Sequence, residues 1–222
     1  MTILLLAGTG EAKDVAKALV ADRVTAVASL AGATRMPKSL AVPTRIGGFG
    51  GADGFRDYVK EAGISAVLDA THPFAHRITD RTAAICAELG LPYMQFVRPE
   101  WMPQAGDHWT EIAREQDAAE YITNGQTVFL GTGRQTLDRF ANLQGCRVIC
   151  RQIDPPTGPF PFAGGEFLVG RPPFPVADEV DLFQRLKVDW LIVKNAGGAR
   201  SATKLTAARQ LGIPVLMVRR PA

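Results

Sequence analysis

Five residues without a charge, Ile3-Leu4-Leu5-Leu6-Ala7, run straight into Gly8-Thr9-Gly10. Behind that turn a helical spacing begins at once, with Ala12, Val15, Ala16 and Leu19. An apolar run without alternation has no polar face to offer water, so as a strand it must be covered on both sides. A strand in a parallel sheet flanked by helices meets that demand. The glycines allow a tight turn and a close backbone approach, and the helix presents its N-terminus to whatever lies over the turn. A phosphate is the expected guest, with Gly8, Thr9, Gly10 and Glu11 as candidate contacts. Lys13 stands where the full dinucleotide fingerprint has a third glycine, so the turn proposes a nucleotide but leaves an ordinary strand-to-helix turn open.

A β-branched second strand, Val24 to Ala28, completes a β-α-β unit. Such units hold the ribose 2′-hydroxyl of NAD with an acid at the end of the second strand, about 20 residues past the glycines. The equivalent stretch here, Ser29-Leu30-Ala31-Gly32-Ala33-Thr34-Arg35, contains no acid. Its hydroxyls, backbone N–H groups and cation complement a 2′-phosphate, so Ser29, Ala31, Gly32, Thr34 and Arg35 lean the site towards NADP. For Arg35 a solvated loop position is the alternative. Next, Arg45-Ile46-Gly47-Gly48-Phe49-Gly50-Gly51 precedes a helix from about Asp53 to Glu61. So many glycines imply main chain lying close to a ligand or to another strand. Gly48 and Phe49 are candidate cofactor contacts, although Phe49 is equally placed to plug the core, the reading slightly favoured.

Ala66 to Ala70 reads as another buried strand, delivering Thr71-His72-Pro73-Phe74-Ala75 at its carboxyl end. Pro73 suits the first turn of a helix running to Glu88, which places His76 one turn in. Ligands collect at the carboxyl edge of open parallel sheets, so Thr71 and His72 join the cofactor candidates. His72 is also the one catalytic candidate, as a positioning residue rather than a proton donor. A strand from Pro92 to Phe96 ends the first lobe. The proline-flanked run Arg98-Pro99-Glu100-Trp101-Met102-Pro103 marks a boundary, giving lobes 1–98 and 99–222.

The second lobe repeats the grammar: strand Thr127 to Leu130, turn Gly131-Thr132-Gly133, helix from Arg134 to about Phe140, strand Arg147 to Cys150. The echo of Gly8-Thr9-Gly10 is not evidence of a second nucleotide, but Arg134 at a helix N-terminus suits an anion. The proline-rich run Ile153 to Phe162 cannot be regular structure and reads as a surface loop or lid with an apolar lining. Strand Trp190 to Val193 then leads to Lys194-Asn195-Ala196-Gly197-Gly198, a helix Arg200 to Leu211 and strand Val215 to Val218. Arg134, Gln135, Lys194, Asn195, Gly197, Gly198 and Lys204 are the candidate substrate contacts, with Lys194, Asn195 and Lys204 expected on one basic rim.

Strand and helix alternate throughout, so the expected fold is α/β: two Rossmann-like lobes, each a mostly parallel sheet flanked by helices, with a cleft between them. With 222 residues and 46% hydrophobic content, a substantial core is available. The net charge of +3 is spread along the chain, and no basic block argues for nucleic acid. The first apolar run stops at Gly8, and no stretch reaches the roughly 20 apolar residues of a membrane span, so a cytoplasmic enzyme is expected. Cys86, Cys146 and Cys150 have neither disulfide-framework nor metal-site spacing and read as core residues. No nucleophile-and-base set is recognisable. Hydride transfer remains, because there the cofactor carries the chemistry and the protein supplies position.

The chain resembles the precorrin-6A reductase family of cobalamin biosynthesis along essentially its whole length. The resemblance is carried, in order, by Gly8-Thr9-Gly10-Glu11, Ser29-Leu30-Ala31-Gly32, Gly47-Gly48-Phe49-Gly50-Gly51, Asp69-Ala70-Thr71-His72-Pro73-Phe74-Ala75, Arg98-Pro99, Thr132-Gly133-Arg134-Gln135, Ile153-Asp154-Pro155-Pro156 and Lys194-Asn195-Ala196-Gly197-Gly198. One departure is Ala196, where serine is as common. The resemblance implies NADPH-dependent hydride transfer to a ring double bond of precorrin-6A, giving precorrin-6B. It also implies a tetrapyrrole substrate whose acetates and propionates meet the basic rim. A generic NADP-dependent reductase of a small metabolite and a non-catalytic NADP sensor are the rival readings.

Overall fold

The computed structural model describes residues 1–32 and 39–221, and the chain divides into two compact units, Met1–Arg98 and Pro99–Ala222. The first unit runs β1 (Thr2–Leu6), α1 (Gly10–Ala21), β2 (Ala26–Leu30), β3 (Thr44–Ile46), α2 (Ala52–Glu61), β4 (Ile64–Asp69), α3 (His76–Glu88) and β5 (Tyr93–Gln95). Its sheet has the order β3-β2-β1-β4-β5 and every pairing is parallel. The chain therefore steps from β1 to β3 in one direction and returns to place β4 and β5 on the other side of β1.

The charge-free run of β1 is explained by what covers it. Leu4 and Leu6 point into one buried cluster with Phe55 and Val59 of α2 and with Ile85 and Cys86 of α3. Leu5, of opposite parity, points into another with Ala12 and Ala16 of α1. Both faces of the strand are dry, as a continuous apolar run requires.

The second unit runs β6 (Trp109–Ile112), β7 (Thr127–Leu130), β8 (Arg147–Gln152), β9 (Gly165–Val169), α4 (Val176–Leu186), β10 (Trp190–Lys194), α5 (Thr203–Leu211) and β11 (Val215–Val218). Short 3-10 segments, Glu115–Glu120, Arg134–Phe140 and Ala199–Ser201, sit between them. This sheet is also parallel throughout, in the order β6-β11-β10-β7-β8-β9. One face packs Phe129, Ile149, Leu191, Val193, Val215 and Met217 against Phe183 of α4 and Leu205 of α5.

The α/β class and the two parallel sheets are as the sequence predicts, while several boundaries move. The second strand is Ala26–Leu30 rather than Val24 to Ala28, because Arg23 turns with φ 56° and Val24 still donates to the Leu19 carbonyl at the end of α1. Ser29 consequently lies inside the strand and is buried. Pro73 does not open a helix. It is the second residue of a turn closed by Ala75 N–H donating to the His72 carbonyl at 2.7 Å, and α3 starts at His76 itself.

Arg134–Phe140 is a 3-10 segment broken at Thr136 (φ −117°), not an α-helix, so no helix dipole develops at Arg134. The last helix begins at Thr203, after the 3-10 turn, rather than at Arg200. Strands β6 and β9 and helix α4 have no counterpart in the sequence expectation. The proline-rich run is irregular as expected, and its aromatics pack together: Phe160 packs on Phe162 and on Phe167 of β9. The three cysteines are buried and free. Among the described residues no helix is long and apolar enough to cross a membrane.

Candidate functional site

In an open parallel sheet the loops that leave two adjacent strands in opposite directions make a crevice at the carboxyl edge. In the first unit that switch point lies between β1 and β4, which are neighbours in the sheet. The loops that meet there are Ala7-Gly8-Thr9-Gly10 and Ala70-Thr71-His72. Thr9 joins them: its hydroxyl caps α1 by accepting from Ala12 N–H at 3.2 Å and donates to the Ala70 carbonyl at 2.8 Å. Gly8 adopts φ +145°, and a Cβ placed on it would meet no atom within 4 Å. The turn is thus shaped by backbone demands that an L side chain meets poorly, above open space at the positive end of α1.

The other first-unit candidates divide by how they are used. The Glu11 carboxylate is paired with Arg98 at 3.2 Å, with both side chains largely buried. It holds its own unit together. Ser29 Oγ accepts from Arg45 Nη1 at 2.8 Å, and the Gly48 carbonyl accepts from Arg45 Nη2 at 2.9 Å. Phe49 packs edge-on against Phe55 and tilted against Tyr58, the core-plug arrangement. Ala31 and Gly32 are exposed just beyond β2. Thr34 and Arg35 lie outside the described residues.

At the end of β4, Asp69 is fully buried with three donors on its carboxylate: Thr71 N–H at 2.9 Å, Thr79 hydroxyl at 2.8 Å and Tyr93 hydroxyl at 3.0 Å. The network sets the direction in which Thr71 and His72 leave the strand. Burial together with the adjacent carboxylate pushes the Tyr93 phenol well above its usual range, so it remains a donor at all working pH values. His72 Nδ1 accepts from Phe74 N–H at 3.2 Å, which places the proton of the neutral ring on Nε2.

In the second unit the switch point lies between β7 and β10, again adjacent strands. The loop after β10 is wrapped by the segment that follows Pro99. Asn195 Oδ1 accepts from Trp101 N–H at 2.9 Å and its Nδ2 donates to the Trp101 carbonyl at 3.2 Å, while the indole Nε1 donates to the Gly198 carbonyl at 3.0 Å. Gly197 (φ +69°) lets the Pro99 carbonyl approach to where a Cβ would be. Asn195, Gly197 and Gly198 therefore position Trp101 with atoms that are already satisfied.

The cations of this unit do not form one rim. Lys194 shares strand parity with Ile192 and meets Glu115 at 3.6 Å. Its neighbour Val193 faces the opposite cluster, the one that contains Leu205 of α5. Burial lowers the Lys194 pKa against the opposing pull of Glu115. Lys204, on α5, places its ammonium 5.5 Å from the Trp101 ring centroid and donates to the Ser201 carbonyl. Burial, reinforced by Arg151, brings it down to about 8. Arg151 itself makes a bidentate pair with Glu179, at 2.7 and 2.8 Å, and stacks on Phe174. Arg134 and Gln135 are exposed. Sequence reasoning did not single out Arg45, Trp101, Arg151 and Arg220 as site residues, and each has a partner distant in the chain: Ser29 for Arg45, Asn195 for Trp101, Glu179 for Arg151 and the Asn195 carbonyl, which accepts from Arg220 Nε at 2.8 Å. Only the chance occurrence of a cation or aromatic marks them in the sequence.

Two switch-point crevices in successive parallel units describe many enzymes, and whole-chain comparison narrows the choice. The description "Precorrin-6x reductase CbiJ/CobK" matches residues 2–222. The chain belongs to that family. As a CbiJ/CobK reductase it is an oxidoreductase, and its fold is compatible with a nicotinamide cofactor. A precorrin-6A reductase of Rhodococcus erythropolis is 47% identical over 221 residues, covering 99% of this chain and 89% of its own length. A cobalt-precorrin-6A reductase of Methanothermobacter thermautotrophicus is 28% identical over 239 residues, covering 100% of this chain and 77% of its own. A solved structure of a CobK precorrin-6A reductase superposes with a TM-score of 0.96 at 40% identity, covering 100% of this chain and 89% of that one.

Proposed function

We propose that this CbiJ/CobK reductase uses NADPH to reduce metal-free precorrin-6A to precorrin-6B in the cytoplasm, with the unit Met1–Arg98 holding the cofactor and the unit Pro99–Ala222 holding the tetrapyrrole. The observation that carries the cofactor half is the Gly8 turn: open space beside a positive-φ glycine, at the N-terminus of α1 and at the switch point of the sheet. The absence of an acid on Ser29-Leu30-Ala31-Gly32 favours NADPH over NADH. Gly8, Thr9 and Gly10 would hold the diphosphate, Ser29 and its surroundings the adenosine ribose, and Thr71 and His72 the nicotinamide end. When bound, the nicotinamide supplies the hydride.

The chain's own part is placement. Asp69, saturated by three donors, fixes Thr71 and His72. In the second unit Arg134 and Lys204 are the cations that would meet ring carboxylates, with Trp101 held by Asn195 as an apolar surface for the macrocycle. Lys194 contributes less to that field because Glu115 already faces it. The metal-free substrate is favoured because identity is 40–47% to relatives named precorrin-6A reductase and 26–28% to those named cobalt-precorrin-6A reductase.

Anaerobic incubation with precorrin-6A, following NADPH absorbance, tests the proposal. NADPH should be consumed stoichiometrically with the precorrin, with NADH at least tenfold poorer in kcat/KM, about 1.4 kcal/mol. Cobalt-precorrin-6A should turn over more slowly than the metal-free form. Tight NADPH binding without oxidation by either precorrin would instead make the protein a sensor.

A further inference from the structure

Arg45 is held in the fold by neutral partners. It lies on β3 as the register partner of Ser29 on β2, so the two side chains emerge together near the carboxyl end of neighbouring parallel strands. Nη1 donates to Ser29 Oγ at 2.8 Å and to the Gly47 carbonyl at 3.0 Å, and Nη2 donates to the Gly48 carbonyl at 2.9 Å. The guanidinium carbon stands 4.1 Å from the Phe49 ring centroid and 5.0 Å from that of Tyr58. Among the described residues no carboxylate pairs with it, and Nε and the second hydrogen of Nη2 have no acceptor. Part-buried arginines elsewhere in the chain, Arg98 and Arg151, are each matched to a glutamate.

The arrangement also polarises Ser29. With an Nη1–H on one oxygen lone pair, the buried hydroxyl is turned to donate its own hydrogen, and no acceptor for it occurs among the described residues. A rigid cation with spare, planar donors thus stands beside a hydroxyl prepared to donate, at the strand end where adenosine riboses are read.

We infer that Arg45, with Ser29, is the residue pair that recognises the 2′-phosphate of the dinucleotide and so sets the preference for NADPH over NADH. The inference rests on the proposed cofactor reading of the first unit. Phe49 and Tyr58 pack against the guanidinium, and the Gly47 and Gly48 carbonyls fix its in-plane rotation. The remaining donor edge then meets the phosphate without reorganisation. A lysine carries the same charge but neither the fork nor the stacking plane.

Direct binding separates this from a structural role. Titrating 2′,5′-ADP and 5′-AMP into the full-length protein isolates the 2′-phosphate from the rest of the cofactor. Wild type should prefer 2′,5′-ADP by at least tenfold. Arg45→Gln should lose that preference by weakening 2′,5′-ADP at least tenfold while 5′-AMP changes less than threefold, with the NADPH-to-NADH ratio of KM shifting in parallel. Arg45→Lys, which keeps the charge and guards against a misfolded glutamine variant, should fall between. Equal weakening of both nucleotides in either variant, or retention of the preference in Arg45→Gln, overturns the inference. If wild type itself binds both nucleotides equally, the NADPH reading falls and takes this inference with it. If wild type binds neither, the nucleotide assignment of the first unit is at fault.

Discussion

His72 illustrates how much of a side chain's chemistry is decided by its own backbone. Its Nδ1 is occupied by Phe74 N–H within the turn that His72 itself begins, so the ring is oriented before any ligand arrives. Asparagine at this position keeps an acceptor near the Nδ1 site. His72→Asn should therefore lower kcat less than tenfold and leave the pH profile between 6 and 9 unchanged. A fall beyond a hundredfold with loss of one titration limb would make His72 the acid, since general acids contribute on the order of 10²–10⁴. Ser29 and Arg45 make the complementary point. The sequence shows the hydroxyl after an apolar run and the missing acid, but the cation beside it is brought there by sheet register from 16 positions along the chain.

At the scale of elements, Thr9 does two jobs that the Gly-Thr-Gly pattern only hints at. It caps α1 and, through the Ala70 carbonyl, ties the β1 loop to the β4 loop across the switch point. Thr9→Ala should cost about 1–2 kcal/mol in urea unfolding for the lost cap and raise the KM for NADPH. Thr9→Ser, which keeps the hydroxyl, should restore most of both. An unchanged KM in the alanine variant would mean that the tie between loops does not shape the cofactor turn. The segment after β7 shows where periodicity misleads. Arg134 to Phe140 has the apolar spacing of a helix, with Leu137 and Phe140 buried, yet it is short, and β-branched Thr136 lies at the break. The second turn therefore resembles the first in sequence but has no α-helix behind it.

For the molecule as a whole, the part-buried cation Lys204 links function to stability. Arg151 from β8 and Glu179 from α4 act on it electrostatically with opposite signs, and burial lowers its pKa from 10.5 to about 8. A base whose folded pKa is depressed destabilises the fold while the unfolded chain is protonated. The penalty is full below about pH 8 and is relieved as pH rises towards 10.5. Lys204→Met should accordingly stabilise the unit Pro99–Ala222 by about 1–3 kcal/mol at pH 7, with the difference from wild type shrinking above pH 8. The same change should raise the KM for the precorrin, the trade expected where a charge is retained for binding. A destabilised methionine variant at pH 7 would show that the ammonium is held by favourable contacts instead.

Features that depend on neighbours along the chain were legible without any structure. Charge-free runs required strands covered on both faces, glycines and caps marked their carboxyl ends, and the order of short motifs carried the family. The strand order, the pairing of Ser29 with Arg45, the saturation of Asp69 and the wrapping of Asn195 around Trp101 came only with tertiary structure. The Thr71 and Thr79 donors to Asp69 lie only 2 and 10 positions away, whereas Tyr93, Arg45 and Trp101 meet their partners across 24, 16 and 94 positions, by sheet register or by a returning segment. Local patterning states which side chains must leave water. Which polar groups then meet, and which cation keeps N–H donors without an acceptor among the described residues, follows from where the strands are laid beside one another.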